Sequence, residues 1–404
     1  MHTLMTVKQE LMRPRRSAPG WLTRNVRVLS GVSFLQDTAS ELLYPLLPIY
    51  LTAVLGAPPS VVGAVEGAAE GAASLTKLAA GPLGDRFQRR PLIAAGYGMA
   101  ALGKVIIAVA GAWPGVLAGR VVDRLGKGIR GAPRDALIAD ITPPELRGAS
   151  YGLRQALDTV GAVAGPLLAI GAMFWFADNF RLVFWVAVAP AFAAVAVLAL
   201  GVREPERSVD EKAAKPPIRL ADCKHLPARY WWVVALAAVM TLARFSEAFL
   251  VLRAQSVHMT TAWIPMVMVV MSAVYAIAAY PTGVLVDRGH QRALLSGGLL
   301  ALAAADLILA SAGSVTQVLA GTAVWGLHMG LTQGLLAALV AETAPTDLRG
   351  TAFGFFNLMS GVALLAASVL AGWLWDAYGP AITFLASAVF AVLAWAGLLV
   401  HSRG

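Results

Sequence analysis

Asp140-Ile141-Thr142-Pro143-Pro144-Glu145-Leu146-Arg147-Gly148 is echoed by Glu342-Thr343-Ala344-Pro345-Thr346-Asp347-Leu348-Arg349-Gly350, and Gly81 with Asp85-Arg86 is echoed by Gly283 with Asp287-Arg288. The offset is 349 − 147 = 202 for the first pair and 287 − 85 = 202 for the second, half of the 404 residues. Two matches at one offset mark a duplicated unit. Working outward from them, apolar runs at 26–53, 61–83, 92–112, 182–201 and 231–252 are each long enough to cross a bilayer core. Charged residues make up only 14% of the chain and hydrophobic residues 58%. Such a chain cannot cover itself with polar surface in water.

Breaks at Gly, Pro and charge divide the chain into spans near 28–54, 60–82, 91–112, 115–141, 149–173, 181–201, 230–253, 263–286, 293–313, 315–341, 350–375 and 380–400. The reading is an all-α membrane protein of twelve transmembrane helices in two pseudo-symmetric six-helix bundles. The expected organisation is a tail at 1–27, a bundle at 28–201, a charged linker at 202–228, a second bundle at 229–400 and a short tail at 401–404. An even count puts both termini on one side of the membrane. The formal charge of +9 sits in alternate short loops, including Arg13, Arg15 and Arg16 in the tail and Arg203, Arg207 and Lys212 in the linker. That placement follows the positive-inside rule, so it reads as cytoplasmic termini and not as a nucleic-acid surface. The lone cysteine, Cys223, excludes an internal disulfide. The charged tail runs straight into a full-length span with no cleavable signal pattern.

Over nearly its whole length the chain resembles the major facilitator superfamily. Gly81-Pro-Leu-Gly-Asp85-Arg86-Phe-Gln-Arg89-Arg90 looks like that family's loop motif between spans two and three, with Gln88 where glycine is usual. A weaker copy follows span eight, with Gly283, Asp287, Arg288 and Arg292. The resemblance implies a conformational latch, with Asp140 expected on Arg86 or Arg89 and Glu342 on Arg288 or Arg292. Arg120 followed by Gly126 resembles the fourth-span motif. Gly161-Ala-Val-Ala-Gly165-Pro166 is similar to the fifth-span motif of proton-driven antiporters, without its terminal glycine pair. Small residues at every fourth position also serve plain helix packing. Phe34-Leu-Gln-Asp37-Thr-Ala-Ser-Glu41 and the stretch from Gly126 to Asp140 look like a bacterial drug and metal efflux branch that includes nickel-resistance permeases. The His-rich tail common in those relatives is replaced here by His401-Ser-Arg-Gly.

Ionisable groups at bilayer depth are costly, so each is a functional candidate. Asp37 and Glu41 on span one, and Glu66 and Glu70 on span two, are each four apart and share a helix face. Each pair could share one proton, as a coupling site requires. Alternatively these acids neutralise buried bases. Asp123 and Asp158 are further proton-coupling candidates. Arg120, Arg124, Lys127, Arg130 and Arg134 recur along span four within about a third of the helix circumference. In lipid such a stripe must line a path or pair with acids, Asp135 included. In the second half Arg244 and Glu247 read as a local ion pair and His328 as a packed histidine or, with Met329, a metal ligand. No metal site is defined and no cofactor is expected. Lys104 and Asp306 are repeat mates (306 − 104 = 202) on helices expected to be peripheral, so both should turn inward.

These features point to a secondary transporter of the bacterial inner membrane. The reading is a proton-coupled antiporter, exporting a small molecule, metal ion or chelate as a monomer surrounded by lipid. Import of an organic anion or metal complex is the first alternative, and a membrane sensor on the same fold is the non-transport one. No His-Glu-x-x-His, Gly-x-Ser-x-Gly or phosphate loop suggests an enzyme.

Overall fold

The computed structural model describes residues 23–86, 88–143, 146–202, 224, 226–345 and 348–401, with backbone only at 81–86, 287, 334, 337, 338, 341, 349, 350, 400 and 401. The described residues are helical throughout and contain no strand. The helices are α1 (Arg24–Leu43), α2 (Pro59–Arg86), α3 (Arg89–Val109), α4 (Trp113–Asp140), α5 (Arg147–Trp175), α6 (Phe180–Gly201), α7 (Ala228–Ala243, resuming at Ala248–Ser256), α8 (Met266–Asp287), α9 (Gln291–Ser311), α10 (Val315–Thr343), α11 (Arg349–Tyr378) and α12 (Pro380–His401). Among the described residues, eight spans are apolar and long enough to cross a membrane by composition alone. Of the others, α1, α2 and α4 carry the acids and bases singled out above. The tail before residue 23, most of the linker and the last three residues lie outside the described residues.

The duplication is visible in helix bounds. Both ends of α9 fall 202 residues after those of α3 (291 − 89 and 311 − 109). In the first half α1 packs on α5 and α6, α2 on α4, and α3 on α4 and α6. The second half repeats this with α7 on α11 and α12, α8 on α10, and α9 on α10 and α12. The halves meet through α2 on α11 and α5 on α8.

Spans one and seven depart from the continuous helices expected at 28–54 and 230–253. After α1 the chain continues as a 3-10 turn (Tyr44–Leu46), a helical turn (Leu47–Ile49) and a π turn (Tyr50–Val54). Pro45 and Pro48 explain this, because a proline supplies no amide proton to the preceding turn. Span seven breaks at Arg244–Glu247 without Pro or Gly. There Arg244 leaves the helical region (φ −114°, ψ 83°). Ser246 Oγ accepts the Ala248 amide at 3.3 Å, a hydroxyl cap that starts the second piece.

The buried core is divided unequally. On the side opposite the termini one apolar cluster fuses the halves, running from Leu42, Tyr44 and Leu47 to Phe245, Phe249, Trp325 and Phe384. On the terminal side each half has its own clusters, around Leu29, Tyr97 and Leu198 in one and around Leu236, Leu299, Tyr230 and Val340 in the other. The hydrogen bonds between halves among the described residues follow the same division. Tyr44 Oη is 3.1 Å from Ser246 Oγ and donates to Glu247 at 3.4 Å, Thr52 donates to Gln255 at 3.0 Å, and the Ser60 amide donates to Asp376 at 3.2 Å. Tyr44 and Ser246 are themselves repeat mates (246 − 44 = 202), so this contact straddles the pseudo-twofold axis. Among the described residues, the hydrogen bonds between halves and the apolar cluster they share lie on the side opposite the termini.

Candidate functional site

α4 can hold five bases because glycines let its neighbours come close. A Cβ on Gly103 of α3 would lie 2.7 Å from the Asp123 amide nitrogen, and one on Gly128 would lie 2.6 Å from Thr76 of α2. This approach excludes lipid and lets acids reach the bases. Arg120 grips Glu66 with both arms of its guanidinium (3.0 and 2.5 Å), each side chain 3% exposed. Arg124 pairs with Glu70 at 2.9 Å. Asp123 receives Lys104 from α3 at 2.8 Å and sits 3.9–4.0 Å from Arg120 and Arg124. Arg130 turns to α3, its guanidinium 4.4 Å from the Tyr97 ring centroid. Arg134 donates to Ser33 and Asp135, both at 3.1 Å, and Arg154 of α5 reaches Asp135 at 3.7 Å.

The base stripe is thus a buried ion-pair network over most of its length, and this corrects one expectation. Glu66 and Glu70 share a face but not a proton, because each is held by its own arginine. Two bases of α4 make no ion pair among the described residues: Arg130, which meets the Tyr97 ring, and Lys127, which is exposed and has Glu70 of α2 and Asp37 and Glu41 of α1 as its electrostatic neighbours.

The α1 acids form a different arrangement. Asp37 and Glu41 are half-buried and have no ion-pair partner among the described residues. Asp37 instead has Asp158 of α5 as its electrostatic neighbour, a carboxyl whose Oδ2 accepts Arg154 at 2.6 Å and whose Oδ1 has no hydrogen-bond partner among the described residues. The antiporter-like glycines make this approach possible. A Cβ on Gly161 would lie 3.1 Å from Asp37 Cβ, and one on Gly165 would lie 2.7 Å from both Glu41 Cβ and the Leu42 nitrogen. Pro166 follows, buried. Gly165→Ala should cost about 1–3 kcal/mol by overpacking. It should also separate α5 from α1, read as a lower melting temperature of the purified protein together with slower transport.

The second half holds less charge. Arg244 and Glu247 form no ion pair among the described residues, because the break in α7 separates them and Glu247 accepts Tyr44 instead. His328 is a packed histidine, 2% exposed, with Nδ1 2.8 Å from the Gly298 carbonyl. Met329 is buried beside it. Among the described residues no three His, Cys, Asp or Glu side chains come together to hold a metal. Lys104 and Asp306 are both buried inward, as expected. Tyr44, which the sequence reading does not single out, links the regions, with the Arg120 guanidinium 5.3 Å from its ring centroid.

At the latch, Arg89 is bonded to Asp140 and Arg90 to the Ala199 carbonyl. The expected mate is not formed: Glu342, Arg288 and Arg292 are exposed and make no ion pair with one another among the described residues. Among the described residues the second half shows no counterpart of the Arg89–Asp140 contact that ties α3 to α4. Gly81 lies in α2, and the side chains of Asp85, Arg86 and Asp287 lie outside what is described.

The Major Facilitator Superfamily sequence model matches residues 29–364 and, again, 246–403. An uncharacterised MFS-type transporter of Methanocaldococcus jannaschii is 30% identical over 386 residues, covering 94% of both chains. The multidrug resistance protein MdtH of Proteus mirabilis is 31% identical over 145 residues, 36% of this chain and 35% of its own. Among solved structures, a mutant of the peptide transporter POT superposes with a TM-score of 0.78 over 96% of each chain at 14% identity.

Proposed function

The chain belongs to the major facilitator superfamily of membrane transporters, and from that premise we propose that it is a proton-coupled antiporter exporting a small molecule from the cytoplasm. The observation that carries the coupling is the close approach of α1 to α5 at Gly161, where a Cβ would lie 3.1 Å from Asp37 Cβ and which sets Asp37 beside Asp158 one turn away. Two carboxyl groups brought side by side in a low-dielectric site cannot both carry charge cheaply, so a proton shared between them is the reading that this placement supports. They join α1 to α5, with Glu41 and the exposed Lys127 as neighbours, and alternating access would expose them to each side of the membrane in turn. The closed ion pairs of Glu66, Glu70 and Asp123 are poorer carriers, because protonating any of them strands a buried base.

Alternating access follows from the duplicated halves. With the described bonds between halves gathered opposite the termini, our reading is a conformation that opens toward the termini, the side that the positive-inside pattern assigns to the cytoplasm. The Tyr44–Ser246, Thr52–Gln255 and Ser60–Asp376 bonds then close the outer side and break for outward opening. Export is supported by the antiporter-like glycines, whose geometry builds the carboxyl pair, and by partial similarity to a multidrug resistance protein. Uptake of an organic anion is the second reading, favoured by Lys127, an exposed cation of α4 with no ion pair among the described residues.

The test is transport by purified protein in proteoliposomes under an imposed pH gradient, with a panel of cationic drugs, organic anions and divalent metals measured in both directions. Antiport predicts substrate accumulation against the proton gradient and substrate-dependent proton efflux. Transport of a panel member that ignores the gradient would refute coupling. Accumulation with the protons would refute antiport.

A further inference from the structure

Asp306 is the one acid of α9 and is fully buried. Its repeat mate Lys104 meets Asp123 of α4, but the residue 202 positions after Asp123 is Trp325 (325 − 123 = 202), so the second half has lost the counter-charge. Among the described residues Asp306 has one side-chain partner, the Ser387 hydroxyl of α12, 2.5 Å from Oδ2, while Oδ1 has none. It makes no ion pair among the described residues.

Ser387 Oγ also bonds the Ala243 carbonyl. That carbonyl ends the first piece of α7 and has lost its helical amide partner to the break at Arg244–Glu247. A serine hydroxyl has one hydrogen. Two acceptors within hydrogen-bonding distance of Ser387, a carbonyl and a carboxyl, therefore require that one of them donate. A carbonyl cannot.

We propose that Asp306 is a proton-binding site, occupied in this conformation, whose proton is held because Ser387 is committed to the broken end of α7. The carboxylic acid donates to Ser387 Oγ, and Ser387 donates to Ala243. Were α7 to become continuous, the Ala243 carbonyl would take a helical amide, Ser387 would be free to donate to Asp306, and the carboxylate could exist. Proton occupancy at Asp306 is thereby tied to the shape of span seven, whose break also supplies Ser246 and Glu247 to the contact with Tyr44. This site is separate from the Asp37–Asp158 pair and does not require that transport be proton-driven.

The test is infrared spectroscopy of the purified protein at neutral pH, comparing wild type with Asp306→Asn and Ser387→Ala. The expected result is loss of one carboxylic-acid C=O band in Asp306→Asn and a shift of that band in Ser387→Ala, which keeps the acid but removes its acceptor. Asp306→Asn should melt with the wild type, since its amide still donates to Ser387. Asp306→Leu should melt lower. Should Asp306→Asn fail to fold, the Ser387→Ala spectrum decides alone. A change confined to carboxylate stretches in either variant, or an acid band unmoved in Ser387→Ala, overturns the proposal.

Discussion

Arg120→Ala is expected to cost about 3–5 kcal/mol of stability, the usual consequence of stranding one member of a buried pair. Glu66 would be left 3% exposed without the two bonds it receives at 3.0 and 2.5 Å. Tyr44 would also lose the cation beside its ring. Glu66→Gln should cost a similar amount by stranding Arg120. The double variant Glu66→Leu with Arg120→Leu should regain much of the loss, because two apolar groups of similar volume need no partners. Melting of the detergent-purified variants checks this. If Arg120→Ala melts with the wild type, water reaches the pair and it is part of the cleft. If the double variant melts as low as the single ones, the cost lies in packing and not in charge.

The contrast between Glu66 and Asp37 marks where the sequence stops being legible. Helical spacing states which residues share a face, and so Asp37 with Glu41 and Glu66 with Glu70 look alike. It does not state what that face meets. Glu66 and Glu70 meet α4, where arginines wait, and Asp37 meets α5, where an acid does. The sign was present in the sequence: Asp158 lies three residues before Gly161, on the same face of α5, so the glycines that bring α5 onto α1 bring Asp158 onto Asp37. Spans and repeat were legible because apolar length and a constant offset are properties of the chain alone, and the agreement of α3 with α9 at both ends follows from them. The break in span one could be read from Pro45 and Pro48. The break at Arg244–Glu247 has no proline or glycine. It exists through tertiary partners, with Ser387 on the freed carbonyl and Tyr44 on Ser246 and Glu247, and no local pattern reports them.

The same contrast gives the largest functional effect. Asp37→Asn keeps the size of the side chain and leaves an amide that can still donate to Asp158, so α1 and α5 remain together and the protein should melt close to the wild type. What it removes is the exchangeable proton between two carboxyl groups. Substrate-dependent proton movement in proteoliposomes, followed with a trapped pH-sensitive dye and a transported member of the substrate panel, should therefore fall to the protein-free background, and Asp158→Asn should do the same. Substrate exchange down its own gradient, which needs no net proton transfer, should persist in both. The amides of Glu66 and Glu70 should show the opposite pattern, with stability lost while any folded fraction still couples. Persistence of proton movement in Asp37→Asn and in Asp158→Asn would remove the pair as carrier and leave Glu41, its neighbour on α1 and likewise without an ion pair among the described residues, as the group to replace next.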